Sequence, residues 1–361
     1  MTKSQFRLSS PLNVPEEDLQ RCHDLLGPVA WRSLAGQRIF ITGGTGFVGK
    51  WLLATLLDAN AAFGLGCRIT VLSRNPASFL NDWPAMDGRV DWITGDVRDF
   101  PIGTEKHDVI IHAATDVVAQ VSPQDVFSTC LEGTRQVLAL ARASGARRLL
   151  LLSSGAVYGP LPAGMTHVPE THLGGPDPLL TASAYGEGKR VSEWLAAQAG
   201  ANGLKVHVAR LFAAVGPHLP LDKHFAVGNF LHSAIKGEDI VVNGDGTPYR
   251  SYLYAADMAA WLWATLLCGQ PGRAYNVGSE HALSIFDLAH RVAKVLQVSI
   301  DVRAARVAPP GHVPQHYVPQ TQRAFAELGL GAPLGLDEAL RRTARWFGHA
   351  THSAKTESWS S

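Results

Sequence analysis

The sequence predicts an α/β protein: a doubly wound parallel sheet with a smaller C-terminal lobe. Three observations predict it. Short apolar, β-rich runs recur at 38–42, 68–72, 90–94, 108–112, 147–153 and 205–211. Helical patterns lie between several of them, at 47–59, 125–143 and 184–199. A glycine cluster, Gly43 to Gly49, sits at the first junction of run and helix. Near-continuous apolar strands alternating with helices indicate a parallel sheet covered on both faces.

Taken along the chain, Pro15-Glu16-Glu17-Asp18 supplies a helix start with acids in its first turn, so residues 1–36 read as a helical arm. Residues 37–211, with 252–277 returning to them, form the nucleotide-binding domain. Its longest apolar run, Met258 to Cys268, is far short of the ~20 residues that span a bilayer and reads as a buried helix. Residues 212–251 and 278–350 form the smaller lobe, with turns at Asn243-Gly244-Asp245-Gly246 and Pro309-Pro310-Gly311 and helices at 284–296 and 336–347. The polar segment 351–361 reads as a loose tail.

Composition narrows the function. The 361 residues carry 32 Lys+Arg against 31 Asp+Glu, a net charge of +1, so no field suited to nucleic acid is expected. Hydrophobic residues make up 46%, which excludes a disordered chain. Cys22, Cys67, Cys130 and Cys268 form no C-x-x-C pair, which fits a reduced, cytoplasmic protein without a zinc site. The N-terminus has no apolar signal segment. The 15 histidines contain no H-E-x-x-H, and prolines interrupt the stretch holding His312 and His316, so no metal site is expected.

The segment Ile39 to Gly49 carries the sharpest local signal. Gly43, Gly46 and Gly49 make G-x-x-G-x-x-G after a strand and at the start of a helix, the pattern of a Rossmann-type turn. There, glycine lets a pyrophosphate approach backbone N–H groups at a helix N-terminus. Thr45, Phe47 and Val48 complete the loop. The same stretch reads G-x-x-x-x-G-K from Gly44 to Lys50, but Trp51 stands where a P-loop needs Ser or Thr. At the end of the second strand, Ser73-Arg74 replaces the acid usual for NAD. A hydroxyl and a guanidinium suit a 2′-phosphate, so NADP is expected, with NAD as the alternative. Asp96 and Val97 follow the third strand, where Asp96 can reach an adenine amine, and Ala113-Ala114 closes the fourth with small residues.

Ser154 ends the fifth strand, on the edge where open α/β sheets bind ligands. Tyr185 and Lys189 lie four apart on one face of a helix. A neighbouring ammonium lowers a phenol pKa that is ~10 unperturbed. Such a tyrosine can exchange a proton while hydride moves, and Ser154 can bond the same substrate oxygen. Ser153-Ser154-Gly155 is no hydrolase elbow, because Leu152 stands in place of the first glycine.

With these motifs the chain resembles the extended short-chain dehydrogenases/reductases of the NAD(P)-dependent epimerase/dehydratase family. The likeness runs from about Gln37 to Phe347 and includes Val157-Tyr158-Gly159, Arg210-Leu211-Phe212, Gly244-Asp245-Gly246 and Tyr275-Asn276-Val277-Gly278. It implies a nucleotide-diphosphate sugar as substrate and a homodimer with the Tyr185 helix in its interface. Arg250 would clamp the diphosphate, and Thr115, Ser154, Gly155, Ala213, Asn229, Phe230 and Val242 would contact substrate. The chain also departs from the pattern. UDP-glucuronate decarboxylases carry Glu where this chain has Ala156, and 4,6-dehydratases carry Asp-Glu at Gly155-Ala156. Many members have Asn where Ala213 and Cys130 stand. What remains is Ser154, Tyr185, Lys189 and a nicotinamide, enough for a 4-ketoreductase or C4 epimerase. Decarboxylation or dehydration would need another acid, with Glu170 or Glu187 as candidates. A cofactor-binding regulator without turnover is the alternative of a different class.

Overall fold

A computed structural model describes residues 12–115, 121–222 and 225–357. The start of the expected arm and residues 358–361 lie outside it. In chain order the first elements are α1 (Glu16–Arg32), β1 (Arg38–Thr42), α2 (Phe47–Ala62), β2 (Arg68–Ser73), α3 (Pro76–Asp82), β3 (Asp91–Thr94), β4 (Val109–His112), α4 (Pro123–Ser144) and β5 (Arg148–Ser154). Then come α5 (Ala184–Ala201), β6 (Lys205–Leu211), β7 (Ala214–Val215), α6 (Ala226–Lys236), β8 (Ile240–Val242), β9 (Tyr249–Arg250), β10 (Leu253–Tyr254) and α7 (Ala255–Leu267). The chain closes with β11 (Ala274–Val277), β12 (Leu283–Ser284), α8 (Ile285–Leu296), β13 (Val302–Ala304), β14 (His316–Tyr317), α9 (Gln322–Leu328) and α10 (Leu336–Glu357).

Seven parallel strands in the order β11-β6-β5-β4-β1-β2-β3 form the central sheet. The strand order reverses between β1 and β4, which opens a crevice at their C-terminal ends. Alternation along the strands splits the core in two. Ile39, Ile41, Leu150 and Leu152 face the layer of α2 and α7, while Phe40, Ile110, Leu149 and Leu151 face α4 and α5. The apolar run expected to be a buried helix is α7, buried along nearly all its length.

Local chemistry sets the helix ends. Ser122 accepts from the Asp125 amide at 3.1 Å and Pro123 takes the first turn, so α4 begins two residues earlier than its apolar periodicity suggests. Gly145, in the left-handed region, stops it. The expected lobe segments hold α6, α8 and two small sheets, β12-β9-β14 and β13-β8, while β7 pairs with β10 of the returning segment 252–277. The helix expected to end at Phe347 continues to Glu357, so the tail expected to be loose from Thr351 is helical at its start.

The N-terminal helix is also no detached arm. It packs across α7 and α2, with Trp31 fully buried 5.3 Å from the Trp263 ring. Buried Asp18 accepts from the Tyr254 hydroxyl at 2.5 Å and from Arg342 of α10 at 2.7 Å. Arg342 also reaches Glu17 and Glu338 at 3.2 and 3.1 Å. Burial pushes the Asp18 carboxyl up to about 6 against the pull of Tyr254 and Arg342. The pair therefore ties the chain's two ends together at a desolvation cost.

Candidate active site

The glycine turn leads from β1 into α2. At Gly43, φ is +71° and a Cβ would lie 2.7 Å from the Ala113 carbonyl carbon and the Ala114 amide. The close passage of the two strand ends thus demands glycine there. Gly46 is the N-cap of α2 and supplies no side-chain cap, and no acid stands in the first turn. The helix opens with unpartnered N–H groups and its positive dipole end at the crevice, an arrangement that suits a pyrophosphate. Thr45, Phe47 and Val48 are half-buried around it. The rival P-loop pattern fails structurally as well. Trp51 is fully buried and donates to the Pro217 carbonyl at 3.0 Å, and the Lys50 ammonium lies over the Trp83 ring.

The opposite wall is held by hydroxyls. Thr42 Oγ1 accepts from the amides of Ala113 and Ala114 at 3.2 and 3.1 Å. It meets His112 Nδ1 at 2.9 Å, and His112 Nε2 meets Thr134 Oγ1 at 3.2 Å. Thr134 bonds the Cys130 carbonyl and Ser192, so α4 and α5 share the network. Burial, with Lys189 adding to it, pushes His112 down to about 3. A depressed histidine contributes stability above its unfolded pKa of ~6.5 and loses it as pH falls toward 3. At pH 5 the loss is about 2 kcal/mol. The raised carboxyl of Asp18 works with the opposite sign, gaining stability as pH falls through about 6, so the test is a difference. His112→Gln is expected to melt lower at pH 7 yet lose less between pH 7 and pH 5 than the parent. Equal losses would remove His112 as a source of acid lability.

Ser73 ends β2 in a buried position, accepting from the Asn75 amide at 3.3 Å, and Arg74 beside it is exposed. Asp96 is already paired within its own loop. Its carboxylate takes Arg98 Nε at 2.9 Å and Nη2 at 3.0 Å, with Arg74 adding positive charge, and is held below its usual range. An adenine amine would have to share that carboxylate with Arg98. Val97 is buried against Gly133 of α4.

Ser154 closes β5, and its Oγ accepts from the Ala156 amide at 3.1 Å. Its hydroxyl also pulls the Tyr185 phenol of α5 downward, though by less than burial raises it. Lys189 is buried, with Nζ donating to Thr115 Oγ1 at 2.6 Å and the Leu152 carbonyl at 2.7 Å. Thr115, expected at the substrate, anchors this ammonium. Nζ stands 5.9 Å from the centre of the Tyr185 ring. The expected lowering of the Tyr185 pKa is not what the polypeptide produces. Burial dominates, pushing the phenol up and the ammonium down. Oxidised nicotinamide, when bound, supplies a positive charge beside the phenol and the acceptor for hydride.

The remaining motif residues are structural. Arg210 grips Glu193 at 2.9 and 2.7 Å and donates to the Tyr158 hydroxyl at 3.0 Å, which donates to Asn276 Oδ1 at 2.7 Å. The acids considered as substitutes are engaged elsewhere: Glu170 accepts from the Asn276 amide at 2.9 Å and Glu187 pairs with Arg190 at 3.8 Å. Among the expected substrate residues, Gly155 is packed under the Phe212 ring, and Ala213 is tied by its carbonyl to Leu253 at 3.0 Å. Phe230 and Val242 are buried in the main core. Asn229 sits half-buried on α6. Arg250 reaches the Ser154 side through Tyr317, whose ring lies 5.4 Å from its guanidinium. Tyr317 is the residue sequence reasoning missed. It stands alone in an irregular stretch and arrives by the pairing of β14 with β9.

A dinucleotide turn at the reversal of a parallel sheet, with a serine, tyrosine and lysine gathered at the same edge, defines a nicotinamide-dependent enzyme of the extended short-chain type. The chain belongs to the NAD dependent epimerase/dehydratase family, whose sequence model matches residues 39–278. UDP-glucuronic acid decarboxylase 5 of Arabidopsis thaliana is 31% identical over 313 residues, 85% of this chain and 88% of that protein. UDP-glucuronic acid decarboxylase 1 of Xenopus tropicalis is 30% identical over 360 residues, 96% and 81% of the two chains. Among solved structures, a double mutant of the dTDP-glucose 4,6-dehydratase of Streptomyces venezuelae, with NAD bound, is 25% identical with a TM-score of 0.73, covering 86% of this chain and 96% of that one. An epimerase of Methanothermobacter thermautotrophicus shares the fold at 20% identity, TM-score 0.73, covering 91% and 97%. Among the described residues no helix is long and apolar enough to cross a membrane, and no group of three or more His, Cys, Asp or Glu is placed to hold a metal ion.

Proposed function

We propose that this enzyme moves hydride at C4 of a nucleotide-diphosphate sugar, as a 4-ketoreductase or C4 epimerase. The observation that carries this is the gathering of Ser154, Tyr185 and Lys189 beside a backbone, Gly155-Ala156, that offers no carboxylate. Ser154 and Tyr185 would bond the reacting oxygen and exchange its proton, Lys189 would hold the positive charge behind them, and Arg250 would take the diphosphate. Elimination needs a separate acid and base, and Glu170 and Glu187 are already bound elsewhere. A second reading, UDP-glucuronate decarboxylation, is favoured by the names of the relatives at 30–31% identity.

The test is to screen UDP-, dTDP-, GDP- and CDP-sugars, and their 4-keto forms, with oxidised and reduced cofactor. Interconversion at C4 supports the first reading. Carbon dioxide release from UDP-glucuronate supports the second. The absence of binding or turnover with every sugar nucleotide would overturn both.

Arg74 at the end of β2 favours a 2′-phosphate. NADP is therefore expected to bind about tenfold more tightly than NAD, a difference of ~1.4 kcal/mol. Titration by protein fluorescence would show it, and Arg74→Ala should erase it. Equal affinities in the parent would return the assignment to NAD. A homodimer through α4 and α5 also fits, with Trp194 of α5 60% exposed. Sedimentation equilibrium tests that.

A further inference from the structure

The site contains a second phenol. Tyr317 Oη lies 3.3 Å from Ser154 Oγ, with the Arg250 guanidinium over its ring. Backbone pairing of β14 with β9 puts Tyr317 level with Arg250, and its ring packs 4.7 Å from Phe212. The backbone of Gly155 and Ala156 works to lower its ionisation against the rise that burial imposes. Gly155 makes the place possible: a Cβ there would stand 2.9 Å from Tyr317 Oη and 2.6 Å from the Phe212 ring. The hydroxyl therefore fills space that a side chain at position 155 would need. Ser154 hydrogen-bonds Tyr317 and lies where it pulls the Tyr185 phenol down, so it stands between the two phenols.

We infer that Tyr185, Ser154 and Tyr317 form one hydroxyl chain that shares a single phenolate charge, with Tyr317 the positioning residue that stores the charge when Tyr185 is protonated. The inference rests on the C4 hydride reading for its catalytic meaning, though not for its physical test. In one arrangement Tyr185 is the phenolate, Ser154 donates to it and Tyr317 donates to Ser154. Moving the Ser154 proton to Tyr185 and the Tyr317 proton to Ser154 gives the other, with no proton gained or lost. There the Tyr317 anion receives the Gly155 and Ala156 amides, the Ser154 hydroxyl and the field of Arg250. In the first arrangement, Tyr185 can take the proton of the substrate hydroxyl as hydride leaves carbon. A charge on Tyr317 opposes one on Tyr185, as a shared ionisation requires.

The test is Tyr317→Phe, which removes the oxygen and keeps the ring against Phe212 and Arg250. Tyrosinate ultraviolet absorbance is titrated in the protein loaded with NAD+ or NADP+, for the parent, Tyr317→Phe and Tyr185→Phe. With a shared charge, Tyr317→Phe moves the remaining active-site ionisation upward by about one pH unit, through loss of hydrogen bonding to the anion. In turnover, the rise of kcat with pH moves the same way while KM for the sugar nucleotide stays unchanged. A second variant, Gly155→Ala, crowds the hydroxyl out of place without removing it and should reproduce the shift. Superimposable titrations for the parent and Tyr317→Phe, apart from one lost tyrosinate, would overturn the inference. If no sugar nucleotide turns over, the C4 reading fails, and the titration still decides the question of Tyr317.

Discussion

Tyr185→Phe is expected to lower turnover by about 10²- to 10⁴-fold while leaving cofactor affinity within a few-fold of the parent. In the proposed reaction the phenol oxygen exchanges the substrate proton, and the ring that remains still fills its place beside Lys189. Nothing in the glycine turn depends on that oxygen. Gly43 meets the Ala113-Ala114 backbone, and the latch behind it is Thr42 with His112. Lys189 keeps its bonds to Thr115 and the Leu152 carbonyl, so the site should not collapse. The measurement pairs single-turnover hydride transfer, followed by nicotinamide absorbance, with cofactor titration. Retained hydride transfer would take Tyr185 out of the mechanism. Loss of cofactor binding in step with turnover would instead mean that the tyrosine shapes the pocket.

The parts of this site visible in the sequence are those encoded within one element or its end. The Gly43 to Gly49 turn, Ser154 at a strand end and the Tyr185–Lys189 spacing each depend on a few neighbouring residues, and they lie where the strand and helix pattern places them. The six strands read from apolar runs are all in the central sheet. The seventh, β11, was legible only as a motif, because Ala274–Val277 is short and includes the polar Asn276. What could not be read depends on distant pairing. Tyr317 joins the site through β14 and β9, two-residue strands with no periodicity to betray them. The bond between Thr115 and Lys189 is another such pairing: a buried ammonium needs acceptors, and Thr115 Oγ1 is one of the two it finds. Asp96 was read by position, and Arg98, two residues on, takes its carboxylate. The packing of α1 was hidden too, since only the fold brings Asp18 to Tyr254 and Arg342.

Two glycines of the turn, Gly49 and Gly46, separate folding from binding. In Gly49→Ala the new methyl would sit 2.1 Å from the Gly43 carbonyl oxygen and 2.5 Å from the Gly44 Cα. Both obstacles are backbone, and a methyl has no rotamer to escape through, so α2 must move away from the turn. With Trp51, Leu52 and Leu53 buried on that helix, the movement disturbs the core, and a loss of several kcal/mol is expected, on the order of 3 to 5. Gly46→Ala differs in kind. Its Cβ would meet only the Gly43 oxygen, at 3.6 Å, and its φ of −80° suits any residue. Folding alone gives no reason for glycine at 46, whereas a pyrophosphate lying against the N-terminal amides of α2 does. Gly46→Ala is therefore expected to melt within a few degrees of the parent and to bind cofactor at least tenfold more weakly, while Gly49→Ala melts far lower. Thermal unfolding and cofactor titration of the two variants check this together. A Gly46→Ala protein that keeps full cofactor affinity would show that the phosphates do not lie on this turn.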